Sequence, residues 1–252
     1  MKIAVLFDGA GLARLGLERA GHQCVGFELD ITKFMLGRHV GSGNTILMDA
    51  TEVDLTGFDA VWASPPCQYR SSARTQGDPV SPFSRDYLDW CLSLNVPILW
   101  VENVIPQGKM PNWGTPYNAA QFLKEPIQNR NRMIGGRYKP PKVFREYKRH
   151  YPEFDLCPAI TATEYKGCRT DKRRASRWYG RKLTIEECAY HQGFEIPEAW
   201  HTVPPGFTKS QWYKNIYEAI GNGVPVYMAQ AFGEVYASEK KALEEETEVA
   251  VG

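Results

Sequence analysis

Residues 2–30 read KIAVLFDGAGLARLGLERAGHQCVGFELD and predict a strand, a helix and a second strand. The apolar run 2–7 is typical of a buried strand, the segment 11–21 of a short helix closed by Gly21, and the segment 23–30 of another strand. Two strands joined by one helix form a βαβ unit, in which the strands run parallel. This stretch therefore predicts an α/β protein built on a parallel sheet.

The alternation of strands and helices continues beyond this unit. Apolar runs predict further strands over 44–50, 58–64 and 97–103, with helices over 31–39 and 84–95. We therefore expect a mixed, mostly parallel sheet with helices on both of its faces. Ligands of such sheets bind at the carboxyl ends of the strands, so the residues that end each strand are the first candidates for a site.

The composition excludes several classes of protein. Of 252 residues, 43% are hydrophobic and 23% are charged, as in ordinary globular domains and unlike disordered chains. No apolar run approaches the roughly 18 residues that cross a bilayer, and the first residues show no signal-peptide pattern. We therefore expect a cytoplasmic protein that does not contact a membrane.

The six cysteines are scattered along the chain without a C-x-x-C pair or a metal-ligand spacing. In a cytoplasmic protein of this size, such cysteines are typically free thiols. We therefore expect free cysteines and no metal site.

Charge is distributed unevenly, although the net charge is only +1. Residues 169–182, RTDKRRASRWYGRK, hold seven Lys or Arg against one acid, whereas residues 239–252 are mostly acidic. A charged run is commonly a solvated face, which is our interpretation of the acidic tail. The basic run also carries aromatic side chains, a combination that suits the phosphates and bases of nucleic acid. Its candidate contact residues are Arg169, Lys172, Arg173, Arg174, Arg177 and Trp178.

Three strands end in residues that could hold an adenosine. The first strand leads into FDGAG, where Gly9 and Gly11 would let the backbone approach a ligand closely. Glu28 ends the second strand with a carboxylate that suits the hydroxyls of a ribose, and Asp49 at the end of the third is placed to reach the adenine. Each acid could instead cap the helix that follows it. The chain lacks a phosphate-binding lysine motif, which favours a ligand without phosphates.

The stretch SPPCQ, residues 64–68, follows the fourth strand and places Cys67 behind two prolines. Prolines fix their own φ angles and restrict the residue before them, so this thiol would be held on a stiff, extended loop. A lone cysteine is more often a small buried hydrophobe. This cysteine lies beyond the strand, however, where a preorganised thiol can act as a nucleophile.

The fifth strand and the chain after it add polar candidates. Glu102 and Asn103 end that strand in VENV, and a carboxyl beside a nucleophilic cysteine is a candidate general acid. Gln128, Arg130 and Arg132 follow at a spacing of two, as on one face of a strand, where arginines could bind a phosphate or a base oxygen. A solvated edge strand would explain the same pattern.

Together these segments resemble the DNA (cytosine-5) methyltransferase family over nearly the whole chain and in the family's order. The resemblance is carried by LFDGAG and FELD for the cofactor, SPPCQ for the catalytic loop and VENV for the general acid. It is also carried by QNRNR, by RKLTIEECAYHQGF (residues 181–194) and by AIGNGVPVYMAQAFG (residues 219–233). A chance match would not keep seven motifs in order.

The resemblance implies a Rossmann-like, S-adenosylmethionine-dependent methyltransferase that modifies carbon 5 of a cytosine flipped out of double-stranded DNA. It implies that Cys67 adds to carbon 6 of the base and that Glu102 holds and protonates N3. Arg132, together with Arg130, would contact the base oxygen O2. The cofactor contacts that it implies are Phe7, Gly9, Gly11, Glu28, Asp49, Pro66 and Asn222.

The resemblance also implies a division of the chain. A catalytic and cofactor-binding domain would span 1–138, a small basic target-recognition region 139–181, a return to the catalytic domain 182–238, and an acidic tail 239–252. The recognition region is much shorter than is usual in the family. We therefore expect a short target sequence of roughly two to four base pairs, with phosphate contacts dominating the affinity.

The sequence departs from the family pattern at the first cofactor motif. Val5 replaces an acid, Leu12 replaces a glycine, and Asp8 lies inside the turn. After PPCQ, Arg70 stands where an aromatic residue is usual. The three departures in the first motif affect the part of the pocket that would hold the methionine end of the cofactor.

Two other functions stay open. A branch of the same family modifies transfer RNA with the same motifs and a reduced recognition region, which makes RNA an alternative substrate. A catalytically silent nucleic-acid-binding relative is the second alternative, although Cys67, Glu102 and Arg132 are all present. We expect a monomer from a bacterium, an archaeon or a phage-infected cell that methylates double-stranded DNA, as in restriction-modification.

Overall fold

The computed structural model describes residues 1–66, 83–105, 110–167 and 175–237. The strands in these ranges are β1 (Lys2–Leu6), β2 (Gln23–Glu28), β3 (Thr45–Leu47), β4 (Ala60–Ala63), β5 (Ile98–Val104), β6 (Thr115–Asn118), β7 (Gln128–Asn129), β8 (Asn131–Arg137) and β9 (Cys157–Pro158). The helices are α1 (Leu12–Arg19), α2 (Ile31–Gly37), α3 (Phe83–Ser93), α4 (Ala175–Trp178), α5 (Ile185–Gln192), α6 (Lys209–Asn222) and α7 (226–237). In this part of the chain, no helix is long and apolar enough to cross a membrane.

The large sheet has the strand order β3-β2-β1-β4-β5-β8-β6, and β7 pairs with β9 in a separate small sheet. The strands from β3 to β5 are parallel, whereas β8 runs antiparallel to both of its neighbours. β1 lies inside the sheet, because Ile3 pairs with Cys24 of β2 on one side and with Ala60 of β4 on the other. The expected α/β architecture with a mixed, mostly parallel sheet is confirmed.

Different helices cover the two faces of the sheet. Val5 of β1 packs in one cluster with Leu17 of α1 and Phe232 of α7. The next residue, Leu6, points to the opposite face and packs in a cluster with Leu88 of α3. Because both faces are covered, the parallel strands are continuous apolar runs, as such strands usually are.

α7 packs directly on α1 at Gly16. A Cβ added to Gly16 would lie 2.3 Å from the carbonyl oxygen of Val226 and 2.8 Å from the Cβ of Ala229. Glycine therefore lets the backbones of the two helices approach this closely. The last helix therefore packs against both the first strand and the first helix.

Phe7, directly after β1, is the only described non-glycine residue with a positive φ angle, at 57°. Simple alternation along the strand would turn its side chain toward the face of Val5. The left-handed backbone instead aims the ring at α3, where its centroid lies 5.3 Å from that of Tyr87 and 6.4 Å from that of Trp90. This conformation is costly for an aromatic residue, and such strain commonly marks a functional position.

The carboxyl ends of β1, β2, β4 and β5 meet at one edge of the large sheet, which we call the carboxyl edge. Because β8 runs antiparallel, its first residues lie at this edge, and Arg132 pairs with Val104 at the end of β5. β6 ends at the same edge, where Asn118 pairs with Asn131. Residues from both halves of the chain therefore converge here.

Replacing Gly16 with alanine tests the contact between α1 and α7. Alanine is the better helix former by about 1 kcal/mol, but its methyl group would force these helices apart. We expect Gly16→Ala to lower the free energy of unfolding by about 1–3 kcal/mol, the usual cost of overpacking, measured by guanidinium denaturation. An unchanged or increased stability would contradict the close contact.

Candidate active site

Glu28 ends β2 with a carboxylate that two backbone groups hold in place. The amide N–H of Gly9 donates to Oε2 at 2.8 Å, and the amide N–H of Asp30 donates to Oε1 at 2.8 Å. The residue is 8% exposed. Each carboxylate oxygen can accept a second hydrogen bond, so Glu28 keeps the capacity to bind two adjacent hydroxyl groups.

The loop between β1 and α1 passes this carboxylate in a left-handed path. Gly9 and Gly11 have φ angles of 60° and 82°, and Phe7 shares the left-handed region. A Cβ added to Gly9 would meet no atom within 4 Å, so open space lies beside this backbone. A Cβ on Gly11 would instead lie 2.4 Å from Nη2 of Arg14. Gly9 thus leaves room for a ligand, and Gly11 leaves room for an arginine.

A buried ion pair lies beneath the same loop. Oδ2 of Asp8 accepts hydrogen bonds from Nε of Arg14 at 3.0 Å and from Oγ1 of Thr45 at 2.5 Å, and neither charged side chain has exposed surface. Arg14 also donates to the carbonyl oxygens of Gly37 and Val40. The pair ties the loop to α1, to β3 and to the end of α2. Asp8, one of the departures from the family pattern, therefore has a clear structural role.

Leu12, another departure, fits against the end of α6. A Cβ added to Gly223 would lie 2.4 Å from Cδ1 of Leu12, so the leucine fills the space that the missing side chain leaves. Asn222, a predicted cofactor contact, is exposed between Gly221 and Gly223. It therefore lies close to the start of α1, near the loop that carries the other predicted cofactor contacts.

Asp49 follows β3 and caps the next turn of the chain. Its Oδ1 accepts hydrogen bonds from the amide of Thr51 at 2.9 Å and from the hydroxyl of Thr51 at 2.8 Å, at the start of the 3-10 turn Ala50–Glu52. Asp49 therefore caps this turn with Oδ1, as one of the two predictions had it. A contact with adenine would use Oδ2. Pro66, also predicted at the cofactor, is exposed after β4.

Glu102 and Arg132 form an ion pair at the carboxyl edge. Nε of Arg132 lies 2.7 Å from Oε1 of Glu102, and the two side chains are 11% (Arg132) and 7% (Glu102) exposed. They face each other diagonally across β5 and β8, because Glu102 pairs with Ile134 and Arg132 pairs with Val104. The tertiary structure therefore brings together two predicted functional groups 30 positions apart in the sequence. Their low exposure strengthens the electrostatic interaction.

Asn103 connects this strand to the loop after β4. Its Nδ2 donates to the carbonyl oxygen of Pro65 at 3.2 Å, and its Oδ1 accepts from the amide of Val104 at 2.8 Å. This anchors the chain two residues before Cys67. Cys67 itself lies outside the described residues, so its role stays a prediction. The same holds for four of the predicted nucleic-acid contacts, which are Arg169, Lys172, Arg173 and Arg174.

Arg130 does not join Arg132 at the ion pair. Its side chain is 1% exposed and donates to the carbonyl oxygens of Ile160, Gly221 and Gly223, the last two at 2.8 Å. The predicted contact of Arg130 with a base does not fit this burial, and we correct it. Arg130 is a positioning residue that joins its own segment to two others, one at Ile160 and one at 221–223.

A break in the strand explains this difference. β7 ends at Asn129 in the small sheet, and β8 begins at Asn131 in the large sheet. The spacing of two in QNRNR therefore does not keep both arginines on one face of one strand. The alternation rule assumes a continuous strand, and the sequence carries no sign of the break.

Two glutamines complete the surroundings of Arg130. Nε2 of Gln128 donates to the carbonyl oxygen of His191 at 2.8 Å. Nε2 of Gln192 donates to the carbonyl oxygen of Gly223 at 3.0 Å, which Arg130 also binds. The sequence predicts no separate role for Gln192, although this residue belongs to the HQGF part of a recognised motif. These side chains satisfy backbone groups that would otherwise be buried without partners.

His191 extends the network toward the predicted recognition region 139–181. Its Nδ1 lies 3.1 Å from the carbonyl oxygen of Ile127, and its Nε2 lies 2.7 Å from the hydroxyl of Tyr179. Because a carbonyl oxygen only accepts, we assign the proton to Nδ1, and Nε2 accepts from Tyr179. Burial lowers the pKa of His191 below its usual value, which favours the neutral ring.

Two of the predicted nucleic-acid contacts, Arg177 and Trp178, lie within the described residues. Both are exposed on α4, and Trp178 is 43% exposed. Nε1 of Trp178 donates to Oδ1 of Asp155 at 3.0 Å. One edge of the indole is thereby anchored, while part of the ring faces solvent.

The cysteines among the described residues are buried and free, namely Cys24, Cys91, Cys157 and Cys188. Burial raises the pKa of each thiol, that of Cys24 to about 12. A buried, protonated thiol is a poor nucleophile. Over the same described ranges, no group of three or more His, Cys, Asp and Glu side chains is arranged to hold a metal ion.

Solved methyltransferases share the fold of this chain. EhMeth from Entamoeba histolytica has a TM-score of 0.62 at 15% identity, over 95% of this chain and 98% of its own. Dnmt2 from S. pombe has a TM-score of 0.56 at 15% identity, over 96% and 99%. A putative DNA modification methyltransferase encoded within an E. coli prophage has a TM-score of 0.55 at 13% identity, over 93% and 97%. The likeness establishes the fold, which this chain shares with these methyltransferases.

The sequence places the chain in one family of that class. The profile of the C-5 cytosine-specific DNA methylases matches residues 99–237, which is more than half of the 252 residues. The chain therefore belongs to the C-5 cytosine-specific DNA methylase family, as its ordered motifs predicted. No curated protein sequence matches it significantly.

Removing the donors of Arg130 should destabilise the whole protein. We expect Arg130→Met to lower the free energy of unfolding by roughly 3 kcal/mol or more, since each buried carbonyl left without a donor costs about 1–3 kcal/mol. The matched control is Arg137→Met, because Arg137 also donates to carbonyl oxygens, those of Leu94 and Val96, but from an exposed position. Water can replace it there, so the expected loss is below about 1 kcal/mol. Equal losses in urea denaturation would refute the role of Arg130.

Acid should destabilise the protein partly through His191. In the unfolded chain a histidine takes up a proton near its usual pKa of about 6.5, whereas burial lowers the pKa of His191 in the folded state. As pH falls through this range, the unfolded state binds the proton first. The free energy of unfolding should therefore fall, by at most about 1.4 kcal/mol per pH unit from this group.

His191→Gln isolates that contribution, because glutamine keeps a donor for Ile127 and an acceptor for Tyr179 but does not titrate. We expect its stability to decline less than that of the wild type between about pH 7 and about pH 5, measured by urea denaturation at each pH. The control His201→Gln, at an exposed position, should follow the wild type. Parallel curves for wild type and His191→Gln would show that His191 makes no such contribution.

Proposed function

We propose that this protein is a DNA cytosine-5 methyltransferase that modifies a cytosine flipped out of double-stranded DNA. The observation that carries the proposal is the Glu102–Arg132 ion pair at the carboxyl edge, beside the loop that leads to Cys67. A carboxyl oriented by an arginine suits a ring nitrogen with a neighbouring amino group, as cytosine has. Membership of the C-5 cytosine-specific DNA methylase family supports the same reaction.

S-adenosylmethionine is the cofactor that we assign to the loop after β1. Glu28 binds the ribose, Phe7 stacks on the adenine, and Asp49 meets the adenine amino group. The open space beside Gly9 and the remaining lone pairs of the Glu28 carboxylate support this fit. The other residues that we assign to the cofactor pocket are Gly9, Gly11, Pro66 and Asn222. When bound, the cofactor supplies the methyl group that carbon 5 of the cytosine receives.

Cys67 activates the base, because carbon 5 of cytosine is a poor nucleophile by itself. The thiolate adds to carbon 6, which forms a carbon–sulfur bond and shifts an electron pair toward carbon 5. After methylation a base or a water molecule removes the proton from carbon 5. The electron pair of that bond then expels the thiolate from carbon 6. The cytosine has gained a methyl group and lost one proton, and Cys67 is regenerated.

Glu102 stabilises the ring while the cysteine is attached. Its carboxyl protonates N3 and holds the exocyclic amino group as charge develops on the ring, and it takes the N3 proton back when the thiolate leaves carbon 6. Arg132 orients this carboxyl through Oε1, and we assign Nη2 of Arg132 to the base oxygen O2. Because both side chains are nearly buried, these interactions act in a medium of low dielectric constant.

Cys67 is the strongest candidate nucleophile among the six cysteines. Four are buried thiols with raised pKa values, which makes them poor nucleophiles. Of the two outside the described residues, Cys67 and Cys168, only Cys67 follows the loop that Asn103 anchors next to Glu102.

Double-stranded DNA is the substrate that we favour over structured RNA. The basic and aromatic run 169–182 suits phosphates and bases, and one structural neighbour is described as a putative DNA modification methyltransferase. The short recognition region 139–181 is consistent with a short target sequence. RNA would undergo the same chemistry, so a direct test of the substrate is needed to separate the two.

One experiment uses duplex DNA with every cytosine replaced by 5-fluorocytosine. It tests at once whether Cys67 is the nucleophile, whether cytosine is the base that it attacks, and whether duplex DNA is the substrate. Fluorine at carbon 5 cannot leave as a proton does, so we expect the wild type with S-adenosylmethionine to stall as a covalent adduct on a denaturing gel. Cys67→Ala should form no adduct. The matched control Cys24→Ala, which removes a buried thiol instead, should form as much adduct as the wild type.

Each alternative has its own result in this experiment. An adduct on fluorinated RNA and none on DNA would make RNA the substrate. An adduct with Cys67→Ala would exclude Cys67 as the nucleophile. A protein that binds the cofactor but traps neither nucleic acid would be the catalytically silent relative.

A further inference from the structure

A second basic segment lies outside the basic run 169–182. Residues 142–150, KVFREYKRH, hold four Lys or Arg against one acid, Glu146. We call this segment the basic loop. Seven of its nine residues are exposed, all except Arg145 and Tyr147, which are half-buried. Its charge and its position on the surface are therefore those of a potential contact with an anionic partner.

The basic loop lies at the carboxyl edge, next to the start of β8. Nδ2 of Asn131 donates to the carbonyl oxygen of Arg149 at 3.0 Å, and Nδ2 of Asn118 donates to that of Lys148 at 3.0 Å. Asn131 directly precedes Arg132, which binds Glu102. The backbone of Lys148 and Arg149 is therefore attached to the strand ends that carry the proposed active site.

Side chains and backbone groups on both sides fix the conformation of the loop. Arg145 donates to the carbonyl oxygens of Leu123 and Lys124, each at 2.9 Å. Nε2 of Gln121 donates to the carbonyl oxygen of Arg145 at 3.1 Å, and the carbonyl oxygen of Gln121 accepts from the amide of Phe144 at 2.8 Å. A segment held at so many points presents its exposed side chains with little further loss of entropy on binding.

The basic loop also exposes apolar surface. Phe144 is 64% exposed and Val143 is 40% exposed. Lys148 has an acidic neighbour, since its Nζ lies 3.1 Å from Oε1 of Glu153, but both side chains of this pair are about half exposed. Such a surface pair is worth little, so a phosphate group can compete for the lysine. Cations next to an exposed aromatic ring suit the phosphates and sugars of nucleic acid.

We propose that the basic loop is a sequence-independent contact surface that binds the phosphodiester backbone of the substrate duplex beside the active site. This inference rests on the proposed function, and within the predicted recognition region 139–181 it adds a second surface to the one predicted over 169–182. Its principal contacts are Lys148 and Arg149. The loop holds the duplex while other residues read the sequence or act on the base.

Equilibrium binding of a fluorescent DNA duplex to the full-length protein tests the proposal. Because phosphate contacts do not depend on sequence, the target sequence need not be known. We expect Lys148→Gln/Arg149→Gln to weaken binding roughly tenfold or more at low salt, and to reduce the slope of log K against log salt concentration by about two. The control Lys2→Gln/Arg137→Gln removes the same charge from the opposite edge of the sheet, outside the predicted recognition region, and should bind as the wild type does.

Covalent trapping on fluorinated DNA, measured at saturating duplex, separates this proposal from the proposed function. If the loop only binds backbone, the double variant should reach the adduct yield of the wild type once the DNA is saturating. Wild-type affinity and salt slope in the variant, with trapping intact, would overturn the role of the loop and leave the methyltransferase standing. Tight binding of structured RNA without binding of duplex DNA would overturn the assignment of the partner.

Discussion

The site depends on one buried cation, Arg130. Its guanidinium satisfies carbonyl oxygens at positions 160, 221 and 223, which are contributed by segments far apart in the sequence. A charged group can be buried only when its donors are paired, so these segments must arrive together. The glycines at 221 and 223 flank Asn222 and leave room for the close approach of neighbouring segments. The predicted recognition region, which contains Ile160, and the predicted cofactor contact Asn222 are therefore assembled around the same cation.

The loop between β1 and α1 shows a second constraint of the same kind. Phe7 adopts a backbone conformation that costs on the order of 1–3 kcal/mol for a residue with a side chain, and this conformation turns its ring from one face of the sheet to the other. The Asp8–Arg14 ion pair beneath it connects the loop to three neighbouring elements. Asp8, which departs from the family pattern, is therefore well accommodated by the residues around it. Leu12 against Gly223 is a further example.

Glu102 and Arg132 meet at the carboxyl edge because of the directions of the two strands that carry them. β5 arrives at this edge with Glu102, and the antiparallel β8 departs from it with Arg132. A parallel β8 would place its first residues at the opposite edge. The basic loop returns to the carboxyl edge because Asn118 and Asn131, which pair across β6 and β8, both bind its backbone. One antiparallel strand, β8, therefore carries both Arg132 of the proposed active site and Asn131, which holds the backbone of the proposed DNA contact.

Much of the architecture could be predicted from local pattern. Residues 2–30 predicted β1, α1 and β2, because parallel strands covered on both faces are apolar throughout, and the turns between them need glycine. Glu28 and Glu102 could be singled out because polar residues at the ends of parallel strands meet at one edge, and Arg132 because of the spacing of two in QNRNR. Asp49 was left open between a cap and a ligand contact, and its Oδ1 is a cap. The motif order predicted the family, which the profile match confirms.

The sequence by itself determined the order of elements as far as β5 and which residue types meet at the carboxyl edge, since both follow from periodicity and motif order along the chain. Only the tertiary structure decided that Arg130 is buried while Arg132 lies at the ion pair, because the chain passes from one sheet to another between them. The tertiary structure alone showed that the ring of Phe7 lies on the opposite face of the sheet from Val5. Such outcomes depend on which backbone carbonyls and side chains arrive from distant segments, and no local pattern records that.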